Sequence, residues 1–270
     1  MATRVGNATS GKFCTRSLRS DRKCPIRTTV ERFDAREWPP EQLDKLFSEG
    51  FPTFITSDQL AKRYIGRVQE WFANLNIVLL DESGFLVAAG WGVPLDWNGQ
   101  TDSLPRGYSE SLKRAVEGHE TNETPNTFVI CGGIVRPDLK GQGLSTVLIQ
   151  TLRSLALGSD LPQVICPVRP TLKSRYPLTS IEKYMQWTRA DGSPFDPWVR
   201  THVRAGAKIL TTEPSSQTMT GTVEQWEAWT GLRFPETGEY VIPDGMSLLN
   251  IDRESDSGIY IEPNVWVQHS

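Results

Sequence analysis

Histidine and cysteine are scarce in this 270-residue chain, with three of one and four of the other, and neither falls at a metal-ligand spacing. That argues against a metalloenzyme. Cys14, Cys24, Cys131 and Cys166 are widely scattered, and two of them sit inside apolar, strand-like runs, which is the pattern of reduced cytosolic thiols rather than of a disulfide framework. No Gly-x-Ser-x-Gly elbow is present, so a serine hydrolase is disfavoured, and cysteines within strands make poor nucleophiles. No run of about 18 apolar residues occurs, which excludes a helical membrane span. Zinc-finger and RRM signatures are missing and the formal net charge is -3, so nucleic acid is not an expected partner. Internal repeats and low-complexity tracts are absent too.

What remains has the composition of an ordinary globule, 38% hydrophobic and 23% charged, and is long enough for one large domain or a core with an extension. Charge is uneven: residues 1–27 carry seven Lys or Arg against one Asp, with no apolar segment of the secretory type. We read 1–25 as a basic, disordered arm and 26–270 as a single domain.

The most informative stretch is TFVICGGIVRPDLKGQGLSTVLIQTLRSLAL, Thr127 to Leu157. Phe128 to Val135 is short, apolar and β-rich, a strand buried on both faces. After Gly143, apolar residues recur at Leu144, Val147, Leu148, Leu152 and Leu155, which is helical spacing. A glycine turn opening a helix leaves several backbone N–H groups without partners and lets an anion approach them closely. Lys140 adds positive charge beside it. A turn that merely caps a helix would contain the same glycines, and the spacing fits neither a P-loop nor a dinucleotide fingerprint.

Around this unit, the sequence predicts an edge strand near Ile26–Val30 and a proline-opened helix in EWPPEQLDKLF. It also predicts a helix in SDQLAKRYIGRVQEWFANL, with Leu60, Tyr64, Val68, Trp71 and Phe72 on one face and Ser57 or Asp58 as cap. NIVLLD and FLVAAGWGV read as a hairpin turning at Asp81 to Gly84. Residues 94–126 form a long polar connection with one helical piece, Ser109 to Glu117, of the kind that covers a site or is partly mobile. QVICPV then supplies a strand suited to parallel pairing through the crossover helix. Downstream, Trp, Arg and Pro are dense, and residues 211–270 read as a loop-rich elaboration of the same domain rather than a second regular core.

Taken together, VRPDLKGQGLS and the order of elements over residues 26–210 resemble the GCN5-related N-acetyltransferase superfamily. Lys140, Gly143 and Ser145 stand where that family has Arg or Gln, Gly, and Gly or Ala. The resemblance implies an α/β fold with a mixed, mostly antiparallel sheet, a splayed parallel strand pair and flanking helices. It implies acyl transfer from acyl-CoA or acetyl-CoA, or from a phosphopantetheine thioester on an acyl carrier protein, to an amine or amide nitrogen of a small molecule. A non-catalytic acyl-CoA or pantetheine binding module of the same fold is the alternative. Cytoplasmic location is expected, and a dimer is one assembly left open.

Carried onto this chain, the donor would lie against Ile134, Val135, Lys140, Gly141, Gln142, Gly143, Leu144 and Ser145, with Arg169 and Lys173 reaching a phosphate or an acidic acyl group. His202, which can titrate near neutral pH, is the candidate base or substrate contact, against a packing role beside Trp198. Tyr176 and Tyr184 compete as the proton donor to the departing thiolate, with ordinary packing as the plainer reading of Tyr184. Glu227 and Glu262 are further candidate bases or amine anchors. His119 is expected in an exposed loop, and His269 at a frayed terminus.

Overall fold

The computed structural model describes residues 27–47 and 51–269. The expected basic arm, with Cys14 and Cys24, lies outside the described residues. Nine strands form one sheet: β1 Thr29–Arg32, β2 Ile77–Leu80, β3 Leu86–Leu95, β4 Thr127–Val135, β5 Gln163–Val168, β6 Ala207–Gly221, β7 Gly238–Tyr240, β8 Leu249–Asp252 and β9 Ser257–His269. Their order is β1-β2-β3-β4-β5-β9-β8-β7, with β6 along the other edge of β9. Among these, β4 and β5 make the parallel pair and the remaining neighbours are antiparallel. The expected fold class is the one observed.

The helices are α1 Pro40–Phe47, α2 Gln59–Trp71, α3 Gly107–Glu120, α4 Leu144–Gly158, α5 Ile181–Met185, α6 Pro197–Arg204 and α7 Val223–Thr230. None among the described residues is long and apolar enough to cross a membrane. Asp58 caps α2 by accepting from the Ala61 N–H at 2.7 Å, as its side-chain chemistry favours. Tyr64, Val68 and Phe72 are buried, whereas Leu60 is exposed, so the inward face is set one residue further along, with Ala61 and Ile65. The β2–β3 hairpin turns where expected: Asp81 accepts from the N–H groups of Ser83 and Phe85, and Gly84 takes a left-handed φ of 77°.

What positions the site is the way β4 leaves β5. Their pairing runs only over Thr127–Val129 against Gln163–Ile165. On the other side of β4, Gly92 faces Ile130 and Trp91 faces Gly132, so Cys131 is an extra residue with no partner on β3. A bulge of this kind bends and twists the strand that carries it. Past it, residues 130–135 have no strand on the β5 side, and the sheet opens into a cleft.

The C-terminal part departs from expectation. In place of loops, β6 and β9 pair along their length, and Phe54, Met219, Val223, Trp226, Phe234, Ile242, Leu249, Ile251 and Tyr260 form a second buried cluster. Each short segment contributes only one or two inward residues, so no single window shows the periodicity of a core. Pro214 is accommodated because β6 shifts register between Glu213 and Gln217, where a missing N–H breaks no ladder bond.

Candidate active site

At the N-terminus of α4 the backbone turns through Gly141 at φ 81° and Gly143 at φ 83°. Neither glycine has atoms crowding its Cβ position, so what these positions require is the left-handed conformation itself. The N–H groups of residues 141–145 find no acceptor among the described residues; the next two, of Thr146 and Val147, return to the Gly143 carbonyl. A helix start with its donors unspent, its dipole directed outward and an exposed Lys140 beside it is a seat for an anion.

From this seat a groove of about 390 Å³ runs over Gly133, Ile134 and Val135, the unpaired edge of β4, to Arg169, with Trp198 and Thr201 of α6 on its opposite wall. An unpaired strand edge offers N–H and C=O groups to an extended ligand bearing amides. A second cavity of about 530 Å³ lies beyond it. Phe51, Trp91, Tyr108, Cys131 and Gln217 line this cavity, and the exposed Lys62 stands at its rim. Phe51 and Arg169 line both spaces, which therefore meet where the sheet splays.

Arg169 is held at this junction from behind. Its Nε donates to Glu262 Oε1, Tyr260 donates its hydroxyl to Glu262 Oε2, and a terminal Arg169 nitrogen donates to the Asp244 carbonyl at 2.9 Å. Glu262 is fully buried with both oxygens engaged, and burial beside this carboxylate raises the Tyr260 pKa. Tyr108 is placed by its backbone: its N–H donates to Ser216 Oγ at 2.8 Å, and Ser216 in turn donates to Asn264. Burial raises the Tyr108 pKa, so its hydroxyl keeps its proton at neutral pH. Burial likewise pushes the Cys131 thiol up to about 12, which makes it a poor nucleophile.

Lys140, Gly141, Ser145, Ile134, Val135 and Arg169 thus share one groove. Gln142, Gly143 and Leu144 belong to the turn at its end without lining it, and the Leu144 side chain is buried in the core. The other candidates are elsewhere. His202 is 1% exposed, packed on Trp198 and hydrogen-bonded through Nδ1 to His269 Nε2 at 3.0 Å. It lines neither space, and burial with the neighbouring His269 lowers its pKa to about 3. A base needs access to the amine, and His202 has none. His269 is not frayed: it closes β9, pairs in register with Val164 and Ala207, and is buried. His119 belongs to the last turn of α3, against Trp71 and Phe72.

Tyr184 donates to Asp196 Oδ2 at 3.0 Å, and Asp196 caps α6; this tyrosine supports the groove wall without reaching the groove. Tyr176 packs in a ring cluster with Tyr184, Trp187 and Phe195. Lys173 is buried and spent on the carbonyls of Tyr176 and Met246, with its pKa lowered by burial to about 8. Glu227 pairs with Arg233 and accepts from the Phe234 N–H at the end of α7, outside both spaces. Sequence reasoning missed Tyr108, Lys62 and Gln217. For Tyr108 a signal existed, since it opens the helix of the long 94–126 connection.

No family model matches the chain. Arginine N-acetyltransferase avaD of Aspergillus versicolor is 29% identical over 263 residues, covering 85% of this chain and 90% of that protein. Among solved structures, the GphF GNAT-like decarboxylase in complex with isobutyryl-CoA superposes with a TM-score of 0.50 at 17% identity, covering 90% of this chain and 98% of that one. The loading GNATL domain of CurA from Lyngbya majuscula gives 0.49 at 17% identity over the same shares. At these identities the structural likeness concerns the fold.

Proposed function

We propose that the chain is an acyltransferase of the GCN5-related N-acetyltransferase type and that it moves an acyl group from coenzyme A to the amine of a small molecule. The observation that carries the donor assignment is the run of unspent N–H groups at residues 141–145, opening onto the free edge of β4. Such a row suits the two adjacent phosphates of coenzyme A, and the groove beyond it would take the pantetheine arm. The thioester then falls at the Cys131 bulge, between Arg169 and Tyr108, where groove and cavity meet.

The amine nitrogen attacks the thioester carbonyl, the C–N bond forms, the C–S bond breaks, and the proton lost by nitrogen ends on the departing thiolate through solvent. Holding amine and thioester together supplies much of the rate. Tyr108, protonated throughout, serves as a hydrogen-bond donor to the negative charge that develops on oxygen or sulfur. No carboxylate or histidine lines the cavity among the described residues. The apolar walls and the positive charge of Lys62, which no carboxylate pairs among the described residues, instead favour the neutral form of a bound amine. On this reading, kcat/KM rises with pH until the free amine's own pKa, with no limb belonging to a side chain.

Thiol release from acetyl-CoA, followed across a panel of amines, tests the reading. Turnover with such a pH profile supports it. Calorimetry that finds no coenzyme A binding would remove coenzyme A as the donor and point to a carrier-protein phosphopantetheine thioester.

A further inference from the structure

Building on the acyl-transfer reading, we propose that the acceptor carries a carboxylate, as a free amino acid does, and that Lys62 together with Arg169 recognises it. The cavity lining holds two cations and no carboxylate, Arg169 being paired with Glu262 behind it. Among the described residues Lys62 pairs with no carboxylate. Arg169 spends Nε on Glu262 and one terminal nitrogen on Asp244, which leaves its other terminal nitrogen as a donor. Gln217 adds an amide that is 8% exposed, lines the cavity and makes no side-chain hydrogen bond among the described residues. The remaining surface is largely apolar, with Phe47, Phe51, Ile55, Ile65 and Trp91.

Cations and an unpartnered amide in an apolar wall call for an anionic, hydrogen-bonding group on the ligand. A carboxylate on the transferred acyl group would have the same chemistry. The placement of Lys62 selects the acceptor, because Lys62 lines the second cavity and not the donor groove. The same positive field suits an amino acid at the other end, since it keeps the attacking nitrogen neutral while holding the carboxylate.

The test uses matched pairs with acetyl-CoA as donor: phenylalanine against phenethylamine, and arginine against agmatine. Each amino acid is expected to exceed its decarboxylated partner in kcat/KM by roughly tenfold or more, the scale of one hydrogen bond to a charged group. Lys62→Met should erase most of that preference by raising KM for the amino acid, and Lys62→Arg should restore part of it. Equal or better use of the decarboxylated amines would overturn the proposal, as would a Lys62→Met variant that slows both members alike. A preference that follows succinyl-CoA over acetyl-CoA, whatever the amine, would assign the carboxylate to the acyl group and overturn it too. If coenzyme A binds in calorimetry but neither pair is acylated, the carboxylate proposal falls and the donor site stands. If coenzyme A does not bind, the coenzyme A reading itself has failed.

Discussion

The groove proposed for the donor and the cavity proposed for the acceptor meet at Arg169 but are built in opposite ways. The α4 end of the groove is backbone: the N–H groups of residues 141–145 and the free edge of β4 come from one short stretch of chain, while Arg169, Trp198 and Thr201 close the opposite wall. The cavity is side chain, drawn from α1, α2, β3, α3, β4, β5, β6 and β9. A backbone site needs glycines at two left-handed positions and little else. A side-chain site needs the whole fold to be correct before any residue has a role. One is therefore a local property of the sequence, whereas the other exists only in three dimensions.

The largest effect expected from this contrast is at Tyr108, the cavity residue closest in role to the chemistry. Tyr108→Phe should lower kcat by roughly 10²- to 10³-fold, the cost of one donor to a developing charge, and leave coenzyme A affinity unchanged in calorimetry. The loss should shrink with an aryl thioester, whose thiolate leaves more readily. A loss independent of the leaving group would place the hydroxyl on the carbonyl oxygen rather than on sulfur, and no loss at all would remove Tyr108 from the mechanism.

Next in size is the support behind Arg169. Glu262→Gln leaves the buried Arg169–Tyr260 assembly without its carboxylate and should cost about 3 kcal/mol of stability, read as a fall of several degrees in thermal midpoint. Were Glu262 instead the base for the amine, the variant would keep its midpoint and lose the acidic limb of its rate profile. Both oxygens of Glu262 are already engaged, so the midpoint is expected to move.

The third prediction concerns the histidine pair. Burial lowers His202 to about 3 and, with Arg153 nearby, His269 to about 4. Both are depressed from an unfolded value near 6.5, so the unfolded chain binds more protons and stability falls as pH drops through the window below about 6.5. Between pH 7.5 and 5.5 this amounts to about 1 to 3 kcal/mol. Replacing the pair with His202→Phe and His269→Leu should flatten that part of the stability profile. A rate profile of the parent that tracks a histidine, with stability unchanged over the same range, would return His202 to catalysis.

The same contrast explains what could be read in advance. The strand Phe128–Val135, the turn at Lys140–Gly143 and the crossover helix carry their own signals, and the two left-handed glycines, Gly141 and Gly143, mark themselves by type. His202 misled because its burial is decided by the far end of the chain, where β9 returns between β5 and β6 and brings His269 against it. Tyr184 follows its plainer reading as a packing residue, and what the sequence does not show is its partner, Asp196, from the cap of a different helix. Lys62 gave no signal at all: on α2 it is one exposed lysine among others, and only the cavity beside it separates it from a solvated surface charge.

The smallest expected effect is also the most direct test of the donor seat. Coenzyme A and pantetheine share the arm that would lie along β4, and they differ in the 3′-phospho-ADP part, which includes the pyrophosphate that the α4 N-terminus would hold. Calorimetry should find coenzyme A bound at least about tenfold more tightly than pantetheine, and Gly143→Val should remove most of that difference, because a β-branched residue at a left-handed φ costs about 1 to 2 kcal/mol and displaces the N–H row. Equal affinity for the two ligands, or a Gly143→Val variant that keeps the full difference, would contradict the assignment of the phosphates to this helix start.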